Sequence, residues 1–195
     1  MKPYIIAITG ASGVVYGKRL VEVMSSQKIP VSLIISDPAK QIIEDELGIK
    51  LTTDIVSSLF TKAAKKYITV FNNKDLGAPI SSGSYKTSGM IVIPCSMATL
   101  SAIATGNSRS LIERAADVIL KEHRRLILVP REMPLNAIHL KNMLELSRIG
   151  VDIVPPMPGF YHHPKSIADQ IDFVVGKVLD LLDIDHQLYQ RWNPK

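Results

Sequence analysis

Residues 5–17 read IIAITGASGVVYG, and this stretch decides the fold. An apolar, β-branched run ends in a turn rich in glycine and serine, and a helical pattern follows at once. The pattern predicts a buried strand at residues 4–9 and a helix at residues 16–24. Such a turn directs backbone N–H groups and the positive end of a helix at one point, which suits a phosphate group.

The same alternation of strand and helix continues along the chain. Further buried strands are predicted at 31–35, 67–71, 90–94, 126–129 and 151–154, and further helices at 37–47, 54–62, 96–104, 108–122, 136–149 and 166–182. Strands that are apolar on both faces and alternate with helices predict a three-layer, doubly wound α/β fold. We expect a mainly parallel sheet flanked by helices, Rossmann-like or flavodoxin-like, in one domain over 1–195 with a C-terminal tail from about residue 183.

Composition narrows the class of protein. Of 195 residues, 46% are hydrophobic and 21% are charged, which is enough for a sizeable core and excludes a disordered chain. The net charge of +5 is spread along the sequence, so nucleic acid is not an expected partner. The single cysteine, Cys95, favours a reducing compartment. No signal-peptide pattern and no apolar run of roughly 18 residues occur, so we expect a cytoplasmic protein without a membrane partner.

Polar residues follow four of the predicted strands. In a doubly wound sheet, ligands bind beyond the carboxyl ends of the strands, so residues distant in sequence meet at one edge. The candidates are Thr9 to Ser12, Ser36, Cys95 with Ser96, and Arg131 with Glu132. The sequence therefore predicts a binding site along this edge.

The first turn is not a dinucleotide fingerprint, because Ser12 stands where the middle glycine of GxGxxG allows close approach of a pyrophosphate. Phosphate or flavin contact is favoured there. Asp37 is compatible with either a ribose contact or helix capping. Ser96 suits a helix N-cap, and Cys95 is interpreted as a small buried residue rather than a nucleophile.

The charged candidates carry two interpretations each. Arg114 and Lys121 share a face of the helix at 108–122, which alone predicts a salt-bridged surface. Arg131 and Glu132 suit either phosphate binding with proton transfer or an exposed ion pair.

No metal site is predicted. The adjacent histidines at 162 and 163 belong to a loop without a third ligand at a typical spacing. Three aspartates, Asp180, Asp183 and Asp185, are interpreted as a solvated helix end rather than a magnesium cluster.

Taken in order, eight segments resemble the UbiX-type flavin prenyltransferases, a family once described as aromatic-acid decarboxylases. They are spread over nearly the whole chain: GASGVVYG at 10–17, SSGS at 81–84, PCSMATLS at 94–101, LIERAAD at 111–117, LKEHRR at 120–125, VPRE at 129–132, PGFYH at 158–162 and RW at 191–192. Each segment is weak alone, whereas the ordered set is specific.

The resemblance implies an activity. Members transfer a dimethylallyl group from dimethylallyl monophosphate to N5 and C6 of reduced FMN, without a metal. The product, prenylated FMN, serves UbiD-type decarboxylases, and the family name points to ubiquinone biosynthesis. The resemblance also implies a homo-oligomer, specifically a dodecamer.

The resemblance further implies site residues. FMN would be held by Gly10, Ala11, Ser12, Ser36, Ser96, Met97, Ala98, Thr99 and Arg131. The prenyl donor would be bound by Tyr161, Lys177, Lys121, Arg131 and Glu132. The catalytic set would be Ser12, Arg114, Lys121 and Glu132.

Charge explains these residue types. Ionisation of an allylic phosphate places negative charge on the leaving oxygens, which Lys and Arg stabilise. The proton released at C6 would go to Glu132 or to the departing phosphate through Ser12. This chain departs from several relatives in having Lys177 for arginine, Leu76 for tryptophan and Asp37 for lysine.

Two alternatives share the fold. An FMN-dependent cysteine decarboxylase is one, although the segment after Pro94 lacks the Pro-Ala-Ser-Ala-Asn-Thr motif of that class. A flavin carrier without catalytic activity is the other.

Overall fold

The structure is a computed structural model that describes residues 1–192. The chain divides into two compact units, Met1–Pro155 and a second unit that begins at Pro156. One domain over 1–195, with its tail from about residue 183, stays a prediction, and the last three residues of that range lie outside the described residues.

The first unit is built on a six-stranded sheet in which every pair of neighbouring strands is parallel. The strand order is β3-β2-β1-β4-β5-β6. The bounds are β1 Tyr4–Ile8, β2 Val31–Ile35, β3 Ile68–Asn72, β4 Gly89–Cys95, β5 Leu126–Pro130 and β6 Asp152–Ile153. This is the doubly wound order of Rossmann-like folds, so the fold prediction is confirmed, and the strand order reverses between β1 and β4.

Helices follow the strands and have well-defined N-terminal ends. The bounds in this unit are α1 Val14–Ser26, α2 Asp37–Leu47, α3 Ile55–Leu59, α4 Met97–Ala104, α5 Leu111–Lys121 and α6 Ala137–Arg148, with short 3₁₀ turns at Lys65–Tyr67 and Pro79–Ser81. The predicted elements are all present, with ends that agree within three residues. At α4 and α5 the helix begins directly after its capping serine, Ser96 or Ser110.

The core lies on both faces of the central strands. Every residue of β2, β4 and β5 is buried. Gly17 in α1 is needed for close packing, since a Cβ atom there would lie 2.3 Å from the Ile93 carbonyl oxygen. Cys95 is fully buried, and burial raises the pKa of its thiol, so the prediction of a small buried residue is confirmed.

The second unit contains one long helix, α7, at Ile167–Leu181. Ser166 and Asp169 form a capping box at its start. Aromatic rings cluster on and around this helix, with His162 stacked on Phe173 at a centroid distance of 4.9 Å. In the described part of the chain, no helix is long and apolar enough to cross a membrane.

Candidate functional site

The carboxyl ends of the central strands are joined to each other by backbone hydrogen bonds. Ser36 N–H donates to the Ile8 carbonyl at 3.0 Å, and Arg131 N–H donates to the Cys95 carbonyl at 3.2 Å. The structure therefore brings the polar residues that follow β1, β2, β4 and β5 to one edge, as the topology predicts. Their ligand contacts stay predictions.

Thr9 joins β1 to β4 at the point where the strand order reverses. Its buried hydroxyl donates to the Pro94 carbonyl at 2.7 Å and accepts from Ser96 N–H at 2.8 Å. One side chain thus fixes the start of α4 against the first turn. Ligands of doubly wound sheets bind where the strand order reverses, so Thr9 fixes the distance between the first turn and the start of α4 at the candidate site.

Two of the predicted flavin contacts are helix caps. Ser36 accepts from Ala39 N–H at 3.2 Å at the start of α2, and Ser96 accepts from Thr99 N–H at 3.3 Å at the start of α4. Met97 and Ala98 lie in the first turn of α4. The capping interpretation of Ser96 is confirmed, and both hydroxyls are held at helix N-termini that face the edge.

Asp37 forms two exposed ion pairs in the first turn of α2. Its carboxylate lies 2.8 Å from Lys40 Nζ and 2.9 Å from Lys74 Nζ. Hydrogen bonds from Lys40 and Lys74 lower the pKa of this carboxyl to about 2. Asp37 does not cap α2, because Ser36 is the N-cap and both Asp37 carboxylate oxygens are engaged by lysines.

The N-terminus of α1 holds an anion from the chain itself. Gly13, with φ of 95° in the left-handed region, directs its N–H at Glu46, whose carboxylate oxygens lie 2.9 and 3.1 Å away. Val14 N–H donates to the same carboxylate at 3.2 Å. A carboxylate of the chain thus occupies N–H groups that the sequence analysis assigned to a phosphate, and phosphate binding there stays a prediction. Sequence reasoning missed Glu46 because it lies 33 residues from Gly13 with no local signal.

Arg131 carries an unpaired donor at the edge. Its Nε atom is buried and has no hydrogen-bond partner among residues 1–192. A buried guanidinium N–H without an acceptor is costly, so the position fits a bound anion. Glu132 beside it is exposed, and its carboxylate accepts only a local hydrogen bond from Met133 N–H at 3.1 Å, as far as the described residues show.

Lys121 lies at the other end of the sheet from Arg131. Lys121 ends α5 and precedes β5, whereas Arg131 follows β5, and a five-residue strand spans about 13 Å. Lys121 Nζ pairs with Glu122 at 2.6 Å. Within one chain, the structure does not bring Lys121 to the carboxyl edge with Arg131.

Arg114, on α5, has a structural role in this unit. Its guanidinium pairs with Asp117 at 2.8 Å and its Nε donates to the Ser81 carbonyl at 3.3 Å. The predicted salt-bridged helix surface is confirmed at this pair. Glu113, in the first turn of the same helix, forms the capping box with Ser110.

The second unit carries Tyr161 and Lys177, which are predicted to bind the prenyl donor. Tyr161 is 43% exposed and meets Phe173 and Trp192 edge-on, at centroid distances of 5.6 and 5.9 Å. Lys177 Nζ lies 3.8 Å from the Asp180 carboxylate. His162 packs among these rings, and both of its ring nitrogens are buried without a partner in residues 1–192.

The interpretation of the three aspartates as a solvated helix end is wrong for Asp180. Its carboxylate accepts from His186, Tyr189 and Arg191, because the segment after α7 folds back onto the helix. Asp183 and Asp185 are exposed. Across residues 1–192, no group of three or more His, Cys, Asp or Glu side chains is arranged to hold a metal ion.

The fold and the edge site define a class of protein. A doubly wound sheet with helix N-termini along its carboxyl edge and an unpaired arginine after β5 is typical of a nucleotide-binding protein. The sequence model of the Flavoprotein family matches residues 1–191, so the chain belongs to this class.

Relatives narrow the class to a family. The flavin prenyltransferase UbiX of Halalkalibacterium halodurans is 53% identical over 97% of this chain and 92% of its own length. A dodecameric FMN-dependent UbiX-like decarboxylase from Escherichia coli O157:H7 is 44% identical, with a TM-score of 0.88 over 98% of this chain and 100% of that one. AnUbiX in complex with FMN and dimethylallyl pyrophosphate is 42% identical, with a TM-score of 0.88 over 100% and 98%. The chain belongs to the UbiX-type flavin prenyltransferases.

Proposed function

We propose that this protein transfers a dimethylallyl group from dimethylallyl monophosphate to N5 and C6 of reduced FMN. The observation that carries the proposal is the Arg131 Nε atom, which is buried and unpaired at the edge of the sheet. A similar protein of known structure, AnUbiX, is in complex with FMN and dimethylallyl pyrophosphate. Bound FMN supplies the electron-rich ring that accepts the prenyl group.

The carboxyl edge, including Arg131, is assigned to FMN. Gly10, Ala11 and Ser12 form the first turn, Ser36 and Ser96 cap the next two helices, and Met97, Ala98 and Thr99 begin α4. Backbone N–H groups and helix N-termini of this kind bind phosphate and polar ring atoms. These hydrogen-bond donors therefore fit an anionic flavin nucleotide.

The cationic side chains are assigned to the leaving group. When the allylic C–O bond breaks, the bonding electron pair leaves with the phosphate oxygen. Arg131, Lys121 and Lys177 stabilise this charge, and Tyr161 contacts the donor. Lys177 acts as a point charge rather than a two-pronged donor, since an ammonium lacks the guanidinium fork. These side chains supply the positive charge that the reaction needs, so we propose that it proceeds without a metal.

Bond formation at C6 breaks the C=C bond of the prenyl group, so C6 loses its proton and the other alkene carbon gains one. The chain offers groups that can carry this proton. Glu132 follows β5 at the edge, and Ser12 can pass a proton to the departing phosphate. Glu46 is a further carboxylate at the first turn, held by Gly13 and Val14 N–H groups. All three belong to the edge that holds FMN in this proposal.

The active protein is proposed to be a homo-oligomer, and a dodecamer as in the E. coli relative. Lys121 is at the wrong end of the sheet to act with Arg131 of its own chain, so a second copy must supply it. The helix α6 is available for such contacts, because only Leu146 of its twelve residues is buried while Ile138, Leu140 and Leu144 are at least half exposed. The product would serve a UbiD-type decarboxylase in the cytoplasm.

The test is an anaerobic incubation of the full chain with reduced FMN and dimethylallyl monophosphate, followed by the mass spectrum of the flavin. We expect a gain of one isoprenyl unit. Glu132→Gln should slow this gain while retaining flavin, and Glu44→Gln, at an exposed position of α2, is the matched control that should leave the rate unchanged.

The alternatives give different results in the same design. A cysteine decarboxylase would release carbon dioxide from a peptidyl-cysteine substrate and leave the flavin mass unchanged. A carrier would bind FMN without turnover, and Glu132→Gln would have no effect on it.

A further inference from the structure

The segment that follows α7 is tied to the helix by one carboxylate. Asp180 accepts from His186 Nε2 at 3.0 Å, from Tyr189 Oη at 2.5 Å and from Arg191 at 2.5 Å. These three donors lie six to eleven residues further along the chain. The segment 186–192 therefore has a defined path, although it contains no helix or strand.

The carboxylate is ionised at neutral pH. Burial opposes ionisation of Asp180, but the hydrogen bonds from Arg191, Tyr189 and His186 outweigh it and lower the pKa to about 2. The side chain of Asp180 is only 19% exposed, and that of His186 is 1% exposed. Hydrogen bonds to an ionised, mostly buried acceptor are stronger than those at the surface.

Gly176 provides a second and independent indication that the segment is packed on α7. A Cβ atom at this position would lie 2.6 Å from the Tyr189 ring and 2.8 Å from the His186 ring. Glycine is disfavoured inside helices, so its presence in the middle of α7 is explained by the close approach of these rings.

The segment carries side chains to the two residues that are assigned to the prenyl donor. Trp192 lies edge-on to Tyr161, with centroids 5.9 Å apart and an interplanar angle of 87°. Asp180 itself lies 3.8 Å from Lys177 Nζ. One carboxylate thus restrains Lys177 directly and Tyr161 through the segment that ends in Trp192.

We propose that Asp180 is a positioning residue for binding of the prenyl donor, acting through Lys177 and through the segment 186–192. The inference rests on the prenyl transfer proposed above, because that proposal assigns Tyr161 and Lys177 to the donor. Asp180 touches neither donor nor flavin in this scheme. Its effect is on donor affinity.

The first experiment reads the segment without any ligand. Trp192 is the single tryptophan of the chain, so its fluorescence anisotropy in the ligand-free protein reports the mobility of the segment. Asp180→Asn and Tyr189→Phe should lower the anisotropy, the second less because it removes one hydrogen bond and keeps the ring. Asp183→Asn is the charge-matched control, since Asp183 is exposed and lines the same surface as Lys177 and Arg191.

Gly176→Ala releases the segment by steric pressure and leaves every hydrogen-bonding group intact. It should lower the anisotropy of Trp192 as Asp180→Asn does. Agreement between these two variants excludes a simple charge effect. If one of them fails to fold, Tyr189→Phe still tests the proposal, because an unchanged Trp192 anisotropy in that variant would overturn it.

The second experiment separates binding from chemistry. In the anaerobic assay, Asp180→Asn should raise the KM for dimethylallyl monophosphate about tenfold, with little change in kcat and none in FMN affinity. Asp183→Asn should match the wild type.

The outcomes of the two experiments are distinguishable. A fall in anisotropy with an unchanged donor KM would overturn the positioning role, as would an equal loss in kcat for Asp180→Asn and Asp183→Asn. If the wild type itself gives no prenylated flavin, the proposed function fails, and the positioning role fails with it even where the anisotropy confirms the packed segment.

Discussion

The edge of the sheet in the first unit and the charged network of the second unit are built in different ways. At the edge, backbone groups, caps and one buried threonine fix the turns, and Arg131 is left with an unpaired donor. On α7, one aspartate collects three side chains from a segment without regular structure. The position of a site that backbone groups form can be inferred from the strand order. A site that side chains form depends on contacts between particular residues, which the strand order does not show.

The difference predicts how each region responds to change. At the edge, loss of a ligand-binding side chain should leave the fold intact, because strands and caps hold the turns. On α7, loss of the central carboxylate should release a whole segment. Changes at Arg131, Thr9 and Glu46 test the edge, and changes at Asp180 test the network on α7.

The largest effect is expected for Arg131→Ala. Removal of a buried charged donor to an anion should weaken FMN binding about 100-fold, since such hydrogen bonds contribute about 1.5–3 kcal/mol. Flavin fluorescence titration measures the dissociation constant. Arg109→Ala, an exposed arginine before α5, is the control, and equal losses in both variants would contradict the assignment of the edge.

The next effect concerns the link between β1 and β4. Thr9→Val keeps the volume but leaves Ser96 N–H without its acceptor, so the free energy of unfolding should fall by about 2 kcal/mol. Chemical denaturation measures the change. Thr69→Val on the exposed side of β3 should be nearly neutral, and a neutral Thr9→Val would mean that the reversal point is held by the backbone alone.

Glu46→Gln should have a smaller effect on stability. The charged acceptor at the N-terminus of α1 becomes neutral, so the favourable interaction with the helix dipole is lost and about 1 kcal/mol of unfolding free energy with it. Thermal unfolding checks this, with Glu44→Gln as the exposed control on the same helix. A stabilised Glu46→Gln would contradict the anion position.

The smallest effect distinguishes two carboxyls with the same pKa of about 2. Asp37 is exposed between two lysines, whereas the Asp180 side chain is 19% exposed. Added salt should raise the pKa of Asp37 and leave that of Asp180 nearly unchanged, because screening acts on exposed pairs. Carboxyl NMR titration at low and high salt measures both values, and equal salt shifts would show that Asp180 is solvated.

Asp180 also gives a pH dependence with a defined sign. Its folded-state pKa lies below the unfolded value near 3.8, so its contribution to stability is present above that value and is lost as pH falls toward 2. Asp180→Asn should therefore be less stable than wild type at neutral pH, with the difference closing toward pH 2. Denaturation midpoints over this range measure the convergence, and a constant difference would contradict it.

The sequence predicted the fold because its signals are local. The apolar runs, the glycine turn at 10–13 and the serines at 36 and 96 each act within a few residues, and the parallel order follows from their alternation. Glu46 was missed because its partner lies 33 residues away. Asp180 was misinterpreted because spacing alone does not show that Arg191 and Tyr189 return to it. The placement of Lys121 opposite Arg131 was missed, although it follows from the predicted helix at 108–122 and the predicted strand at 126–129, whose bounds the structure reproduces closely.

The mass of the flavin recovered after anaerobic incubation with dimethylallyl monophosphate tests the central claim most directly. The account predicts reduced FMN heavier by one isoprenyl unit with the wild-type chain, and little of this product with Arg131→Ala. Recovery of unmodified FMN from a wild-type protein that binds both FMN and the donor would contradict it.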